Sequence, residues 1–199
     1  RQQVAGIVFV SGLHSVAGQD HSHYQELVER RLPVVALDGL APGLSLPCVS
    51  TDDAEAVRLA TRHLAQLGHT RIGLALGDVD HIVGARKEAA FHKYLGQHPE
   101  LTGIVDRSLY SLEGGMAAAD HLVESGATGI VCASDVMALG AIRAVQRRGL
   151  NVPHDVSVIG FDDSMFMPLV EPAVTTVRQP VDALAKAAAG LLATQIPGR

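Results

Sequence analysis

Three acidic residues follow short apolar runs of this sequence, at points where a parallel sheet would gather their side chains. Asp38, Asp135 and Asp162 each come within two residues of the end of such a run. Because ligands of open α/β sheets bind outside the carboxyl ends of the strands, we expect these carboxylates at a binding rim. Ionised carboxylates accept hydrogen bonds side by side, which suits vicinal hydroxyl groups.

Two further side chains extend this set. Arg86 stands at the head of a helical stretch, and Tyr110 follows the apolar segment around Ile104. A guanidinium offers a planar fork of donors, and a tyrosine ring offers an apolar platform for the face of a sugar or base. The five residues together indicate a site for a small polyhydroxylated ligand.

Each of these residues also has a plainer interpretation. An Asp after a strand is often only a helix N-cap, and Asp53, Asp135 and Asp163 are predicted to be caps on local grounds. Arg86 alone is more typical of a solvated helix surface, and Tyr110 alone is equally consistent with ordinary packing.

Signatures of metal binding and catalysis are weak. His21 and His23 resemble a metal pair, but positions i and i+2 do not share a helix face, so no metal site is expected. The motifs G-x-S-x-G, H-E-x-x-H, G-x-x-x-x-G-K-[ST] and G-x-G-x-x-G are missing from the sequence. We therefore expect neither a cofactor nor enzymatic activity. An enzyme that uses Asp162 or Asp135 as a general base remains an alternative.

The composition bounds the class of protein. The 199 residues carry 16 basic and 21 acidic side chains, which argues against a duplex-DNA surface formed by these residues alone. Cys48 and Cys132 lie in apolar runs, as expected for free thiols in the cytoplasm. No apolar run approaches the ~18 residues of a membrane span. The sequence begins without a start methionine or a secretory signal, which indicates a fragment or a processed chain.

Short β-branched runs alternate with amphipathic stretches along the chain. The strands are continuously apolar, as parallel strands covered on both faces are, and repeated βα units predict doubly wound parallel sheets. The predicted strands are residues 5–10, 34–37, 48–50, 71–76, 103–105, 129–133 and 156–161. The predicted helices are residues 21–31, 53–67, 85–95, 113–125, 135–148 and 180–193.

Four segments resemble, in order, the motifs of lac repressor-type (LacI/GalR) transcriptional regulators. They are the ATRHL and LGHTRI stretches of residues 60–72, ASDVMALG at 133–140, VPHDVSVIGFDD at 152–163 and TTVRQP at 175–180. Each motif alone is only modestly specific, but four motifs in the family's order and at its usual spacings are strong evidence for the resemblance. The resemblance covers nearly the whole chain.

The resemblance implies an α/β, two-lobed, periplasmic-binding-protein-like (type I) fold. The C-terminal lobe is expected at residues 53–177, and residues 1–52 and 178–199 are expected to form an incomplete N-terminal lobe. The DNA-binding helix-turn-helix domain and a final strand are expected to lie outside this chain, which the resemblance implies is truncated at both ends.

The resemblance also implies a function and its residues. An effector such as a sugar, nucleoside or purine is expected in the cleft between lobes, and Arg86, Asp162, Asp135, Tyr110 and Asp38 match the ligand-binding positions. The implied partners are a second copy, through the helix of residues 136–147, and operator DNA through the missing domain, with no membrane and a cytoplasmic location. The alternative is a secreted sugar-binding protein of a transport system, which the segments 68–72 and 175–180 argue against.

Overall fold

The structure is a computed structural model that describes residues 4–10, 12–77 and 80–196. Strands and helices alternate along the chain, as the sequence predicts. The strands are β1 (Ile7–Phe9), β2 (Val34–Leu37), β3 (Cys48–Val49), β4 (Arg71–Leu76), β5 (Thr102–Arg107), β6 (Gly129–Cys132), β7 (Ser157–Asp162) and β8 (Thr175–Arg178). The helices are α1 (Ser22–Glu29), α2 (Asp53–Gln66), α3 (Ile82–Gly96), α4 (Leu112–Glu124), α5 (Asp135–Arg147) and α6 (Val181–Gln195).

The chain divides into two compact units. The first contains residues 1–51, 80–83 and 180–199, and the second contains residues 52–79 and 84–179. Residues 80–83, which the sequence places with residues 53–177, belong to the first unit. The backbone N–H of Ala17 donates to the carbonyl of Asp80 at 2.8 Å, and Val16 forms a β-bridge with His81.

The second unit is built on a five-stranded parallel sheet in the order β5-β4-β6-β7-β8. The chain leaves β4 to form β5 on one side and then returns to form β6 on the other side of β4. The strand order therefore reverses between β4 and β6, which is where open α/β sheets bind their ligands.

The core of the second unit explains why its strands are continuously apolar. Ile72, Leu74 and Leu76 of β4 are 0% exposed, because helices cover both faces of the sheet. Leu64 of α2 and Leu122 of α4 belong to the same buried cluster. Such a rigid, fully covered sheet holds its strand ends, and the loops that follow them, in fixed positions.

The first unit has a smaller core around the parallel sheet β1-β2-β3. Tyr24 of α1 packs edge-on against Phe9, with ring centroids 4.9 Å apart, and both lie over Val34 and Ala36. Helix α6 is fastened to this sheet because the Gln195 side-chain amide donates to the carbonyl of Val34 and accepts from its N–H, each at 3.1 Å.

Helix caps in the second unit correct two predictions. The N-cap of α2 is Asp52, whose side chain accepts from the backbone N–H of Glu55. The N-cap of α5 is Ser134, whose side chain accepts from the backbone N–H of Met137. Asp53 and Asp135 were predicted as caps, but each is the first residue inside its helix and points elsewhere. Because Asp52 and Ser134 already accept from these N–H groups, the carboxylates of Asp53 and Asp135 are available for other contacts.

Among the described helices, none combines the length and the apolarity that a membrane span requires.

Candidate ligand-binding site

Tyr110 lies at the point where the strand order of the second unit reverses. Its hydroxyl donates to the carbonyl of Ala133, just after β6, at 3.2 Å. Its ring lies against Gly77, just after β4, where an added Cβ would be 1.8 Å from the ring. Tyr110 thus bridges the ends of β4 and β6 while 46% of the residue stays exposed. This arrangement presents an aromatic surface at the expected binding edge.

Asp162 ends β7 on the same edge of the sheet. It is half-buried, and its Oδ1 lies 3.4 Å from the side-chain nitrogen of Gln179, whose backbone N–H donates to the Asp162 carbonyl. The φ angle of Asp162 is 119° and that of Asp163 is 58°, both in the region that favours glycine. Non-glycine residues in such conformations cluster at ligand sites, where surrounding contacts maintain the strain.

Asp135 lies against Gly160 of β7 and is used differently from Asp162. It is only 2% exposed, and its Oδ2 accepts from the backbone N–H of Ser164 at 2.7 Å and from the Ser164 hydroxyl at 2.9 Å. Its Oδ1 accepts from the Thr176 hydroxyl at 2.6 Å. These bonds tie the start of α5 to β8 and to the loop after β7. The carboxylate that the sequence predicts as a ligand contact therefore has an internal set of donors.

Arg86 and Lys87 are adjacent in the first half of α3 but face different surroundings. Arg86 is exposed, and within the described ranges no carboxylate lies at ion-pair distance from its guanidinium. Lys87 is 2% exposed, and its Nζ lies 2.5 Å from Asp53 Oδ1 and 3.7 Å from the centroid of the Phe161 ring. The buried cation at this edge is thus Lys87, which the sequence reasoning missed.

A sequence signal for Lys87 did exist. Gly84, Phe91 and Tyr94 are buried, and with Lys87 they follow the i, i+3, i+7, i+10 spacing of one helix face. The apolar positions of α3 therefore place Lys87 on the inner face, whereas Arg86 is rotated about 100° away from it.

A second ion pair holds the loop after β4. Arg107, the last residue of β5, pairs with Glu88 of α3 and also donates to the carbonyl of Gly77 at 3.4 Å. The pair fixes the backbone of Gly77, on which the Tyr110 ring rests. Arg107 and Glu88 therefore help to position the aromatic surface.

Asp38, the fifth predicted residue, belongs to the first unit. It directly follows β2, its φ angle is 67°, and its N–H donates to the carbonyl of Val49 at 2.9 Å. Like Asp162, it is a half-buried carboxylate at a strand end with a left-handed backbone. Four of the five predicted residues thus lie in the second unit, and Asp38 lies in the first.

Residues with metal-binding or nucleophilic side chains contribute little to this edge. Within the described residues, no group of three or more His, Cys, Asp or Glu side chains is placed to hold a metal ion. His21 Nε2 instead contacts the carbonyls of Leu13 and Val16. Burial, with a further contribution from the charge of Asp135, raises the pKa of the Cys132 thiol to about 12, so this thiol is not a nucleophile at neutral pH.

The chain is similar over nearly its whole length to known regulators. The periplasmic binding protein-like domain family matches residues 61–199. An HTH-type transcriptional regulator in the aml 5′ region of Streptomyces limosus is 49% identical over 198 residues, which are 97% of this chain and 56% of that protein. This chain spans less than two thirds of the length of these curated relatives.

Solved structures give the same result at lower identity. The transcriptional regulator CelR in complex with cellobiose matches 99% of this chain and 61% of its own, with 29% identity and a TM-score of 0.86. The lac repressor dimer bound to operator and the anti-inducer ONPF matches 96% of this chain and 66% of its own, with 27% identity and a TM-score of 0.80.

The two-lobed α/β fold that the motifs predict is therefore confirmed. The chain belongs to the LacI/GalR family of transcriptional regulators and carries its periplasmic-binding-protein-like domain.

Proposed function

We propose that this chain is the effector-sensing and dimerising part of a transcriptional regulator, and that its effector is a small polar molecule such as a sugar, a nucleoside or a purine. The observation that carries the proposal is the half-exposed Tyr110 ring fixed between the ends of β4 and β6. An aromatic face at a topological switch point suits a planar or pyranose ligand.

Charge around Tyr110 favours a hydroxyl-rich ligand. Asp162 supplies a half-buried carboxylate at the end of β7, and Arg86 supplies an exposed guanidinium on α3. Both groups form hydrogen bonds with vicinal hydroxyls. The similar regulator CelR is in complex with cellobiose, which supports a sugar as the first class to test. We also propose Asp38 as a ligand-binding residue, and we propose that Asp135 supports the site by positioning.

The first test is a thermal-shift screen of the purified protein against cellobiose, its α-linked isomer maltose, ribose, nucleosides and purines. A ligand at ~100 times its dissociation constant stabilises the folded state by ~2.7 kcal/mol. We expect a selective shift with one compound class, and we expect Asp162→Ala and Arg86→Ala to abolish it. Arg62→Ala, which removes an exposed arginine from α2, is the matched control and should leave the shift unchanged.

Failure of the screen would be informative. If every compound leaves the melting temperature of a cooperatively unfolding sample unchanged, the proposed ligand class is wrong. If a shift occurs and both site variants retain it, the ligand binds elsewhere.

Two other functions make different predictions. A secreted sugar-binding protein of a transport system would bind a similar ligand but would have no DNA partner. An α/β enzyme would use a carboxylate such as Asp162 as a general base and would convert a bound compound, with a pH–rate profile that reports this group. We favour binding without catalysis because the relatives are transcriptional regulators.

Operator DNA is the proposed macromolecular partner, contacted through a helix-turn-helix domain outside these residues, in the cytoplasm. The net charge of −5 supports this division, because a DNA-binding surface carries an excess of basic residues. Ligand binding would act on DNA affinity by population shift, and only as far as the ligand binds one conformation more tightly.

We further propose that the protein forms a homodimer through the start of α5 and the loop after β7. Val136 is 50% exposed, Met165 78%, Phe166 61% and Leu169 80%. The hydrogen bonds between Asp135 and Ser164 hold the two segments side by side, so these side chains extend one apolar surface. Contiguous exposed apolar surface is typical of protein interfaces.

Sedimentation velocity tests the proposed dimer. We expect a dimer that Phe166→Asp converts to a monomer, because a charge at the centre of an apolar interface remains unpaired. Leu67→Asp is the matched control, since Leu67 is equally exposed, at 61%, but lies at the end of α2. A wild-type protein that is monomeric at high concentration, or a dimer that survives Phe166→Asp, would contradict this interface.

A further inference from the structure

A short turn of the first unit carries Asp38. The turn follows β2 and comprises residues 38–40, and the φ angles of Asp38 and Gly39 are 67° and 123°. Glycine adopts such angles at no steric cost, whereas an aspartate keeps them only where its surroundings hold it. The contacts at the two ends of the turn therefore determine the position of the Asp38 carboxylate.

Both ends of this turn are bonded to one residue, His14. The His14 Nε2 lies 2.9 Å from the carbonyl oxygen of Leu37, which directly precedes the turn. The backbone N–H of Ala41, which directly follows the turn, donates to the His14 carbonyl at 2.6 Å. The side chain and the main chain of His14 thus fasten the two ends of residues 38–40 to the segment after β1.

The His14 ring is firmly placed and has one hydrogen-bonding role. It is 0% exposed, and its centroid lies 6.0 Å from that of Phe9 and 5.7 Å from that of Tyr24. A carbonyl oxygen only accepts, so Nε2 carries the hydrogen that it shares with Leu37. Within the part of the chain that the structure describes, the buried Nδ1 has no hydrogen-bond partner. The ring therefore acts on the turn through its bond to Leu37.

Packing alone does not account for a histidine at this position. A buried acceptor without a donor, such as Nδ1, costs free energy that an apolar side chain of similar size would avoid. What His14 adds over a leucine is a donor for the Leu37 carbonyl, at the start of the turn that carries Asp38.

We propose that His14 is a positioning residue for effector binding, which holds the turn of residues 38–40 so that the Asp38 carboxylate can accept from a hydroxyl group of the effector. The inference rests on the proposed function, in which Asp38 is a ligand-binding residue. All of the residues involved belong to the first unit. His14 is fully buried and acts only through the turn.

Two substitutions separate positioning from packing. His14→Leu removes the donor and keeps an apolar side chain of similar size. His14→Gln keeps a donor, because its amide nitrogen is as many bonds from the main chain as Nε2. Each protein is titrated by calorimetry with whichever of cellobiose, maltose and ribose binds the wild type most tightly. We expect His14→Leu to weaken binding by about tenfold, as for one lost hydrogen bond, and His14→Gln to stay within about twofold of the wild type.

A double-mutant cycle shows whether His14 acts through Asp38. Asp38→Gly removes the carboxylate at a backbone angle that glycine tolerates, and we expect it to weaken binding by about 10- to 100-fold. In the Asp38→Gly background, His14→Leu should cause no further loss, because the group that it positions is absent. Additive losses would overturn the inference.

Amide hydrogen exchange tests the turn without a ligand. In His14→Leu, the Ala41 N–H should exchange about tenfold faster, because the turn is no longer held at Leu37. The Ala36 N–H, which donates to the Pro47 carbonyl in the same sheet, should change less. His14→Gln should restore slow exchange at Ala41. An equal increase at Ala36 and Ala41 would mean a general loss of stability and would overturn the local role of His14.

His63→Leu is the control, because it makes the same replacement at an exposed position on α2. Its sugar affinity and its exchange at Ala41 should equal those of the wild type. His14→Asn is a second variant in case His14→Leu does not fold: its amide is one bond too short to replace Nε2, so a similar loss of affinity is expected.

The outcomes distinguish this inference from the proposed function. Wild-type affinity in a folded His14→Leu or His14→Asn protein would overturn the inference and leave the proposed function intact. If none of the three sugars binds the wild type, the proposed function fails and the role of His14 in effector binding fails with it.

Discussion

Polar residues at the strand ends and in the first halves of the helices of the second unit form two groups that differ in burial. The inner tier consists of Asp53, Lys87 and Asp135, which are 4%, 2% and 2% exposed. The outer rim consists of Arg86, Tyr110 and Asp162, which are half-buried or exposed. Each group has one member in the first half of α3, where Arg86 of the outer rim and Lys87 of the inner tier are adjacent in the sequence.

At α3, the difference between inner tier and outer rim is set by a single-residue step along the chain. Arg86 and Lys87 are neighbours, but one step of an α-helix rotates a side chain by about 100°. Lys87 therefore enters the core face of α3, while Arg86 points outward. A charge in the inner tier must be paired to remain ionised, whereas a charge on the outer rim is solvated and can bind a ligand.

The largest predicted effect separates these two neighbours. Lys87→Met leaves the Asp53 carboxylate buried without a counter-ion, and breaking a buried pair in this way costs about 3–5 kcal/mol of folding free energy. Arg86→Met removes a charge that has no ion-pair partner within the described part of the chain, so we expect a change within ~0.5 kcal/mol. Urea unfolding at neutral pH, followed by circular dichroism, measures both.

Two results for the unfolding free energies of these variants would contradict the prediction. Equal losses for the two variants would mean that Arg86 is also packed into the fold. A Lys87→Met protein as stable as the wild type would mean that Asp53 is already neutral or hydrated, and the distinction between inner tier and outer rim would fail at α3.

Much of the fold follows from the sequence because its signals are local. Apolar runs predict β4, β6 and β7 to within one or two residues, and the four family motifs predict the domain. Apolar runs do not reveal the segment 175–178, which forms the edge strand β8. Three of its four residues are polar, in keeping with a strand that only β7 pairs with in the described sheet.

The site was predictable in outline and not in detail. Strand ends indicate where side chains gather, which located Tyr110 and Asp162 on one edge. The contacts of Asp135 depend on Ser164 and Thr176, which are 29 and 41 residues away in the sequence, and no local pattern encodes such pairing. The partner of Lys87 likewise comes from a separate helix, 34 residues earlier.

A smaller effect is predicted for the carboxylates at the ends of β6 and β7. Asp135→Ala leaves the Ser164 N–H and hydroxyl and the Thr176 hydroxyl without their acceptor, so we expect a loss of about 2–3 kcal/mol in urea unfolding. Asp162→Ala is the control: its carboxylate is half-buried, its bond to Gln179 is long at 3.4 Å, and we expect a loss below ~1 kcal/mol. If Asp162→Ala is the more destabilising of the two, then the strained end of β7 is maintained by that carboxylate. Asp162 would then belong to the inner tier, and the outer rim would be reduced to Tyr110 and Arg86.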